Sequence, residues 1–278
     1  MMTGKAKLAG VIGWPIEQSR SPILHGYWLN KYGIDGCYSP LPVAPGDLST
    51  VVAGLKALGF AGWNITAPHK EEMATLVDAL SPDAKAIGAV NTVIRQADDS
   101  YLGHNTDAFG FIENLKAGHA GFTARDKTIV LLGAGGASRA VVHALIEDDA
   151  QTIFIANRSK DKAQRLVDDF GTCCQAITLA QASEAVSQAD LLINGTSLGM
   201  LGKAPLPLNY EALPNQALVT DLVYAPLETD LLAWARKRGN PTVDGLGMLL
   251  HQARAGFTAW FGQDVQVDEP LRQAVLAP

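Results

Sequence analysis

The residues with the strongest chemical implication are the glycines of the stretch TIVLLGAGGASRAVVHAL, Thr128–Leu145. Gly133, Gly135 and Gly136 follow a short apolar, β-branched run and precede a helical pattern. A glycine turn lets a ligand approach the backbone closely. A helix starting there aims free N–H groups and a positive dipole end at that ligand, which suits phosphate. Ala134 and Ala137 complete the loop, and Ser138 stands where the dinucleotide fingerprint has its third glycine. About 20 residues on, where an acid would bind a ribose 2′-hydroxyl, the chain has Asn157-Arg158-Ser159, with Lys162 a turn later. An acid there would repel a 2′-phosphate, whereas a guanidinium pairs with it. The spacing therefore favours NADP, the alternative for Arg158 being an ordinary surface charge.

A nicotinamide dinucleotide exchanges hydride, so the rest of the chain must hold a carbonyl or alcohol and a group that moves a proton. No Tyr-x-x-x-Lys helix follows the nucleotide pattern, and Lys70 with Asp107 is the best available pair. Lys70 reads either as a solvated surface lysine or as an ammonium tuned for proton transfer by the helix start it opposes. Asp107, at a helix start, reads alternatively as a simple stabilising acid. Ser21 before Pro22 reads as a helix cap. Ser19 is not explained that way, and two hydroxyls at this spacing could together hold a carboxylate. Asn91 falls within an expected strand, where asparagine is depleted, so its amide either edges a pocket or serves a bulge.

These residues need elements to position them. The pattern predicts a strand over Lys7–Ile12, a helix over Ile23–Tyr32, an extended piece over Gly36–Pro42 and a helix over Gly46–Leu58. A strand ending at Ile65 leads into a helix capped by Thr66, with Pro68 in its first turn, running through Leu80. Ile87–Arg95 and Tyr101–His104 flank a turn at Ala97–Ser100 and predict a hairpin. A helix follows over Asp107–Lys116. From Thr128 onward strands and helices alternate to Val243, which predicts a doubly wound parallel sheet.

The 278 residues allow two domains. A net charge of −6 argues against nucleic-acid binding. The three cysteines have neither disulfide nor zinc spacing, and the histidines form no ligand pair on one helix. No signal-peptide core and no 18-residue apolar run is seen, so the expected setting is the cytoplasm, with no membrane.

With these motifs in place the chain resembles shikimate dehydrogenase over nearly its whole length. The resemblance is carried by Gly13-Trp14-Pro15-Ile16, Ser19-Arg20-Ser21-Pro22 with His25, Asn64-Ile65-Thr66-Ala67-Pro68-His69-Lys70 and Gly88-Ala89-Val90-Asn91-Thr92. It continues through Gly103-x-Asn105-Thr106-Asp107, the loop Gly133–Arg139, Asn157-Arg158-Ser159 and Asn194-Gly195-Thr196. It ends in Asp221-x-x-Tyr224-x-Pro226 and Gly245-Leu246-Gly247-Met248-Leu249 with Gln252-Ala253.

The resemblance implies NADPH-dependent reduction of 3-dehydroshikimate to shikimate; the chain is expected to act on this small molecule as a monomer or homodimer. It implies two α/β domains, a discontinuous substrate domain of residues 1–110 and 246–278 and a Rossmann-like NADP domain of residues 111–245. Ser19 and Ser21 would hold the substrate carboxylate, and Thr66, Asn91, Tyr224 and Gln252 would contact its hydroxyls. Lys70 and Asp107 would be the catalytic pair, and Leu222 and Gly245 would lie near the nicotinamide. Gln18, Gly26 and Trp63 depart from the family pattern; both serines are kept, so the carboxylate site stands, and the departures leave room for a different pocket rim. The alternatives are an NAD-using quinate/shikimate dehydrogenase and a non-catalytic NADP-sensing protein.

Overall fold

In the computed structural model, which describes residues 2–171 and 173–277, the chain folds as two units. One is Met1–Asp107 with Leu249–Pro278, the other Ala108–Met248.

The first unit contains β1 (Lys7–Gly13), α1 (Ser21–Lys31), β2 (Gly36–Pro42), α2 (Leu48–Ala57) and β3 (Gly62–Ile65). It continues with α3 (Lys70–Met73), β4 (Ala79–Leu80), α4 (Pro82–Ile87), β5 (Thr92–Arg95) and β6 (Tyr101–His104). The strands form one mixed sheet in the order β2-β1-β3-β5-β6-β4. β1 is parallel to β2 and β3, while β5 is antiparallel to β3 and β6. The register sets Val11 beside Asn64 and Asn64 beside Thr92, so polar residues of neighbouring strands meet at one place. Ile12, Val52, Leu55, Trp63, Met73, Val93 and Tyr101 form the core beneath.

The second unit contains α5 (Asp107–Gly118), β7 (Thr128–Leu132), α6 (Gly136–Glu147), β8 (Thr152–Ala156), α7 (Lys160–Phe170) and β9 (Cys174–Ile177). Then come α8 (Leu179–Ala185), β10 (Leu191–Asn194), β11 (Leu218–Asp221), α9 (Asp230–Arg238) and β12 (Thr242–Val243). All six strands are parallel, in the order β12-β11-β10-β7-β8-β9. From the other edge this is the third, second, first, fourth, fifth and sixth strand, the dinucleotide-binding winding. The winding reverses between β7 and β10, so ligands of such sheets meet the chain where those strands end. Ile129–Leu132 and Leu191–Ile193 are fully buried, the burial expected of strands covered on both faces. The chain closes with α10 (Leu246–Phe261) and α11 (Glu269–Leu276).

Three expectations change. The helix expected from Thr66 to Leu80 is only the four residues of α3. Asp78 N donates to Tyr101 O and Ser81 N to Gly103 O, drawing the chain out of the helix into β4 beside β6. Ile87–Arg95 is not one strand: Ser81 caps α4, Gly88 closes it at φ 71°, and β5 starts after Asn91. α11 was not anticipated, although Asp268 caps it by accepting from Leu271 N at 2.9 Å. Among the described residues no helix is long and apolar enough to cross a membrane.

α10 is pinned to the sheet by Trp260, whose Nε1 donates to Val93 O at 2.9 Å. Gly62 makes this close approach feasible. Its φ is +153°, and a Cβ there would lie 2.0 Å from Val93 O and 2.2 Å from Trp260 Nε1. Gly62→Ala is expected to destabilise the protein by about 2–4 kcal/mol, from overpacking plus a broken buried hydrogen bond. Denaturant titration checks this, an unchanged midpoint being the contrary result.

Candidate active site

Lys70 and Asp107 lie 37 residues apart in sequence, yet Lys70 Nζ and Asp107 Oδ2 are 2.5 Å apart in the first unit. Lys70 is the first residue of α3. A single helical turn has little macrodipole, and Lys70 is paired directly with Asp107. Asp107 is held from several sides. Its N–H donates to Asn105 Oδ1 at 3.0 Å, and Asn91 Nδ2 donates to its second carboxylate oxygen at 2.8 Å. It is therefore more than a helix-start acid.

Asn91 is the hub of this cluster. It lies just before β5 rather than within a strand. Its Nδ2 also donates to Thr106 Oγ1 at 3.0 Å, and its Oδ1 accepts from Thr106 N and Thr92 Oγ1, both at 2.9 Å. Gln252 on α10 brings its Oε1 to 3.3 Å from both Asn91 Nδ2 and Thr106 Oγ1. Thr66 is half-buried, with its N–H on Ile12 O. His69 is buried, its ring nitrogen 2.7 Å from Val43 O, which fastens the Thr66–His69 turn to the chain after β2.

Ser21 does not cap α1. It is the first helical residue and makes no capping bond; instead Ser19 Oγ accepts from Ser21 N at 3.3 Å. Ser21 is buried and Ser19 half-buried. Of the three departures, Gln18 is exposed and Gly26 faces open space. Trp63 is fully buried in the core, its ring 5.1 Å from that of Tyr101, so it does not belong to a pocket rim.

In the second unit Gly133, Ala134 and Gly135 line a cavity of about 390 Å³, with Asn157, Arg158, Ser159 and Lys162 on another side. Gly195, Thr196 and Ser197 complete it. These three were not anticipated as site residues, although a second glycine turn after β10 was the available signal. Gly136 and Ala137 form the first turn of α6 and do not line the cavity, nor do Leu222 and Gly245. Leu222 follows β11, with its N–H on Asn194 O, and Tyr224 lies two residues further on. Gly245 packs so closely that a Cβ would lie 2.6 Å from the carbonyl oxygens of Asp221 and Leu222.

The loop fits a dinucleotide phosphate. Gly133 has φ +105°, which favours glycine, and a Cβ on Gly135 would meet nothing within 4 Å. Gly135 caps α6 without any side-chain bond, so its first N–H groups have no side-chain competitor for a ligand. Ser138 is fully buried, and its Oγ would lie 2.9 Å from a Cβ on Gly195. The close packing usually supplied by a third glycine is thus supplied across the sheet by Gly195. Asn157 Nδ2 donates to Ser159 O at 2.9 Å, which shapes the turn carrying Arg158.

Asp221 ties two loops of this unit together. Fully buried, it accepts from Asn194 Nδ2 at 3.0 Å, Thr229 Oγ1 at 2.8 Å and Val223 N at 2.9 Å. Burial raises its pKa, and the three hydrogen bonds only partly offset this.

Family models match in three segments: the shikimate dehydrogenase substrate-binding domain at residues 11–93, shikimate/quinate 5-dehydrogenase at 116–200 and the shikimate 5′-dehydrogenase C-terminal domain at 245–276. Shikimate dehydrogenase (NADP(+)) of Paramagnetospirillum magneticum is 52% identical over 276 residues, covering 99% of this chain and 100% of its own. Among solved structures, shikimate dehydrogenase of Aquifex aeolicus matches with TM-score 0.91 and 35% identity over 100% of both chains. Quinate dehydrogenase of Corynebacterium glutamicum, in complex with NAD, matches with TM-score 0.90 and 32% identity, over 98% of this chain and 99% of its own.

The raised pKa of Asp221 has a pH signature. The folded state keeps the proton more readily than the unfolded chain, so this group's contribution to stability falls as pH rises from 3.8 through the raised folded value. Asp221→Asn does not titrate. Its melting temperature relative to the wild type is expected to increase across that window and level off above it; a difference independent of pH would contradict this.

Proposed function

This chain belongs to the shikimate dehydrogenase family, and we propose that it catalyses the reversible NADPH-dependent reduction of 3-dehydroshikimate to shikimate, on the route to the aromatic amino acids. The observation that carries this reading is the Lys70–Asp107 pair, 2.5 Å apart and braced by Asn91. Two further supports favour NADP over the NAD-using alternative. Arg158 and Lys162 line the cavity beside the glycine loop where an NAD site has an acid. The 52%-identical relative is an NADP(+) enzyme. The intact pair and its braces favour a catalyst over a non-catalytic sensor.

Bound NADPH supplies the hydride that reduces the carbonyl carbon. Lys70 Nζ delivers a proton to the carbonyl oxygen as negative charge develops there, and in reverse takes it from the hydroxyl. Asp107 holds the Nζ and is itself fixed by Asn91 and Asn105. Ser19 and Ser21 bind the substrate carboxylate, with Thr66, Asn91, Gln252 and Tyr224 meeting its hydroxyls, each of which both donates and accepts. The loop Gly133–Ala137 takes the pyrophosphate, Asn157, Arg158, Ser159 and Lys162 the 2′-phosphate, and Leu222 and Gly245 the nicotinamide end. Residues 1–110 and 246–278 thus act as the substrate domain and 111–245 as the NADP domain. The compartment is the cytoplasm.

Lys70→Ala is expected to lower kcat by about 10²–10⁴-fold, the usual yield of a positioned acid–base group, while calorimetry still detects shikimate binding. Retained turnover would remove Lys70 from the chemistry. Arg158→Gln is expected to raise the KM for NADP by roughly 10–100-fold, the loss of a charge-assisted contact, and to leave the KM for NAD nearly unchanged. Equal effects on both cofactors would place Arg158 away from the 2′-phosphate.

A further inference from the structure

Two polar side chains in the strands of the first unit take no part in the reaction outlined above, and both are buried. Asn64 lies within β3, where asparagine is a poor strand former, and is 5% exposed. Tyr38 lies within β2 and is 7% exposed. Burying an amide and a phenol costs free energy unless both are hydrogen-bonded. Here they bond to each other: Tyr38 Oη donates to Asn64 Oδ1 at 2.6 Å. Asn64 Nδ2 then donates to Asn91 O at 3.1 Å and Thr92 Oγ1 at 3.0 Å. Thr92 Oγ1 in turn donates to Asn91 Oδ1, so the path ends on the amide that holds Asp107.

The phenol is fixed in its plane. The ring of His25 stacks on Tyr38 at 3.9 Å and 10°, and Trp260 closes against both rings. His25 is fully buried beside Asn64, and burial lowers its pKa to about 3, the interaction with the Asn64 side chain offsetting this only in part. It is a neutral aromatic plate at working pH and adds no charge. The Ser21 hydroxyl lies beside the phenol oxygen, so Tyr38 also borders the residue assigned to the substrate carboxylate.

We propose that Tyr38 and Asn64 are positioning residues for catalysis: through Thr92 they orient the Asn91 amide, which orients Asp107 and so places the Lys70 ammonium. The proposal rests on the functional reading above. Without the phenol hydroxyl, Asn64 Oδ1 is left buried without its donor, and the amide turns to find another partner. That turn loosens the Thr92 and Asn91 bonds in sequence, and small displacements of a positioned catalytic group lower the rate of the chemical step.

The test measures steady-state shikimate oxidation with NADP by the wild type, Tyr38→Phe, Thr92→Val and the double variant. Melting temperature and NADP binding are followed alongside, since the NADP loop lies in the other unit. Tyr38→Phe removes one oxygen from an otherwise unchanged aromatic stack. The expected result is a roughly tenfold or larger fall in kcat for each single variant, with NADP affinity unchanged and the KM for shikimate rising less than kcat falls. If the two act along one path, the double variant is no slower than about twofold below the worse single variant. Unchanged kcat in Tyr38→Phe overturns the proposal. So does a rise in KM for shikimate alone, which confines Tyr38 to the Ser21 end, and so do multiplicative effects in the double variant. Absence of wild-type turnover contradicts the functional reading instead, which keeps the two failures distinct.

Discussion

The first unit depends on a single buried amide. Asn91 is 2% exposed, and its side chain bonds Asp107, Thr106 and Thr92 while Gln252 stands within reach. A buried amide left partly unsatisfied costs about 1–3 kcal/mol per group, so these partners are tightly specified. Once they are in place, Asp107 has one orientation for its carboxylate, and Lys70 can reach it from α3. β5, the entry to α5, and α10 all meet at this residue, which makes the cluster both a structural joint and the centre of the candidate chemistry.

The second unit solves a different problem. A fully parallel sheet leaves its ligand crevice where the winding reverses, and α6 must pack closely on the strand ends there for a phosphate to reach the backbone of the glycine turn. Ser138 makes the helix side of that contact bulkier than glycine would. Gly195 compensates from the neighbouring strand end, where a Cβ would fall 2.9 Å from Ser138 Oγ and 3.0 Å from Leu132 O. Asp221 keeps that strand end in register with the loop after β11 by bonding Asn194 and Thr229.

The second unit was the more legible from sequence, because strand, glycine turn and helix form one local pattern with a fixed period. The strands read over Thr152–Ala156, Leu191–Asn194 and Thr242–Val243 and the helix read over Lys160–Phe170 coincide with β8, β10, β12 and α7. The first unit was less so where tertiary contacts overrule local preference. The run after Thr66 reads as a long helix, but pairing of β4 with β6 ends it after one turn. Ser21 looks like a cap, yet Ser19 makes the local bond. Lys70 and Asp107 were legible as unusual residues, but no spacing rule states that they touch. The Tyr38–Asn64 bond was not legible, since it spans β1 to join β2 and β3, residues 26 apart in sequence. Polar residues placed inside strands were the only sequence sign of it.

The most direct measurement compares initial rates of shikimate oxidation by the unmodified protein with NADP and with NAD, followed at the absorbance band of the reduced nicotinamide. A Lys70–Asp107 site served by an Arg158-lined cofactor pocket predicts turnover with shikimate and a kcat/KM for NADP at least roughly tenfold above that for NAD, the effect of about 1.4 kcal/mol at the 2′-phosphate. No turnover with either cofactor, or a preference for NAD, would contradict it.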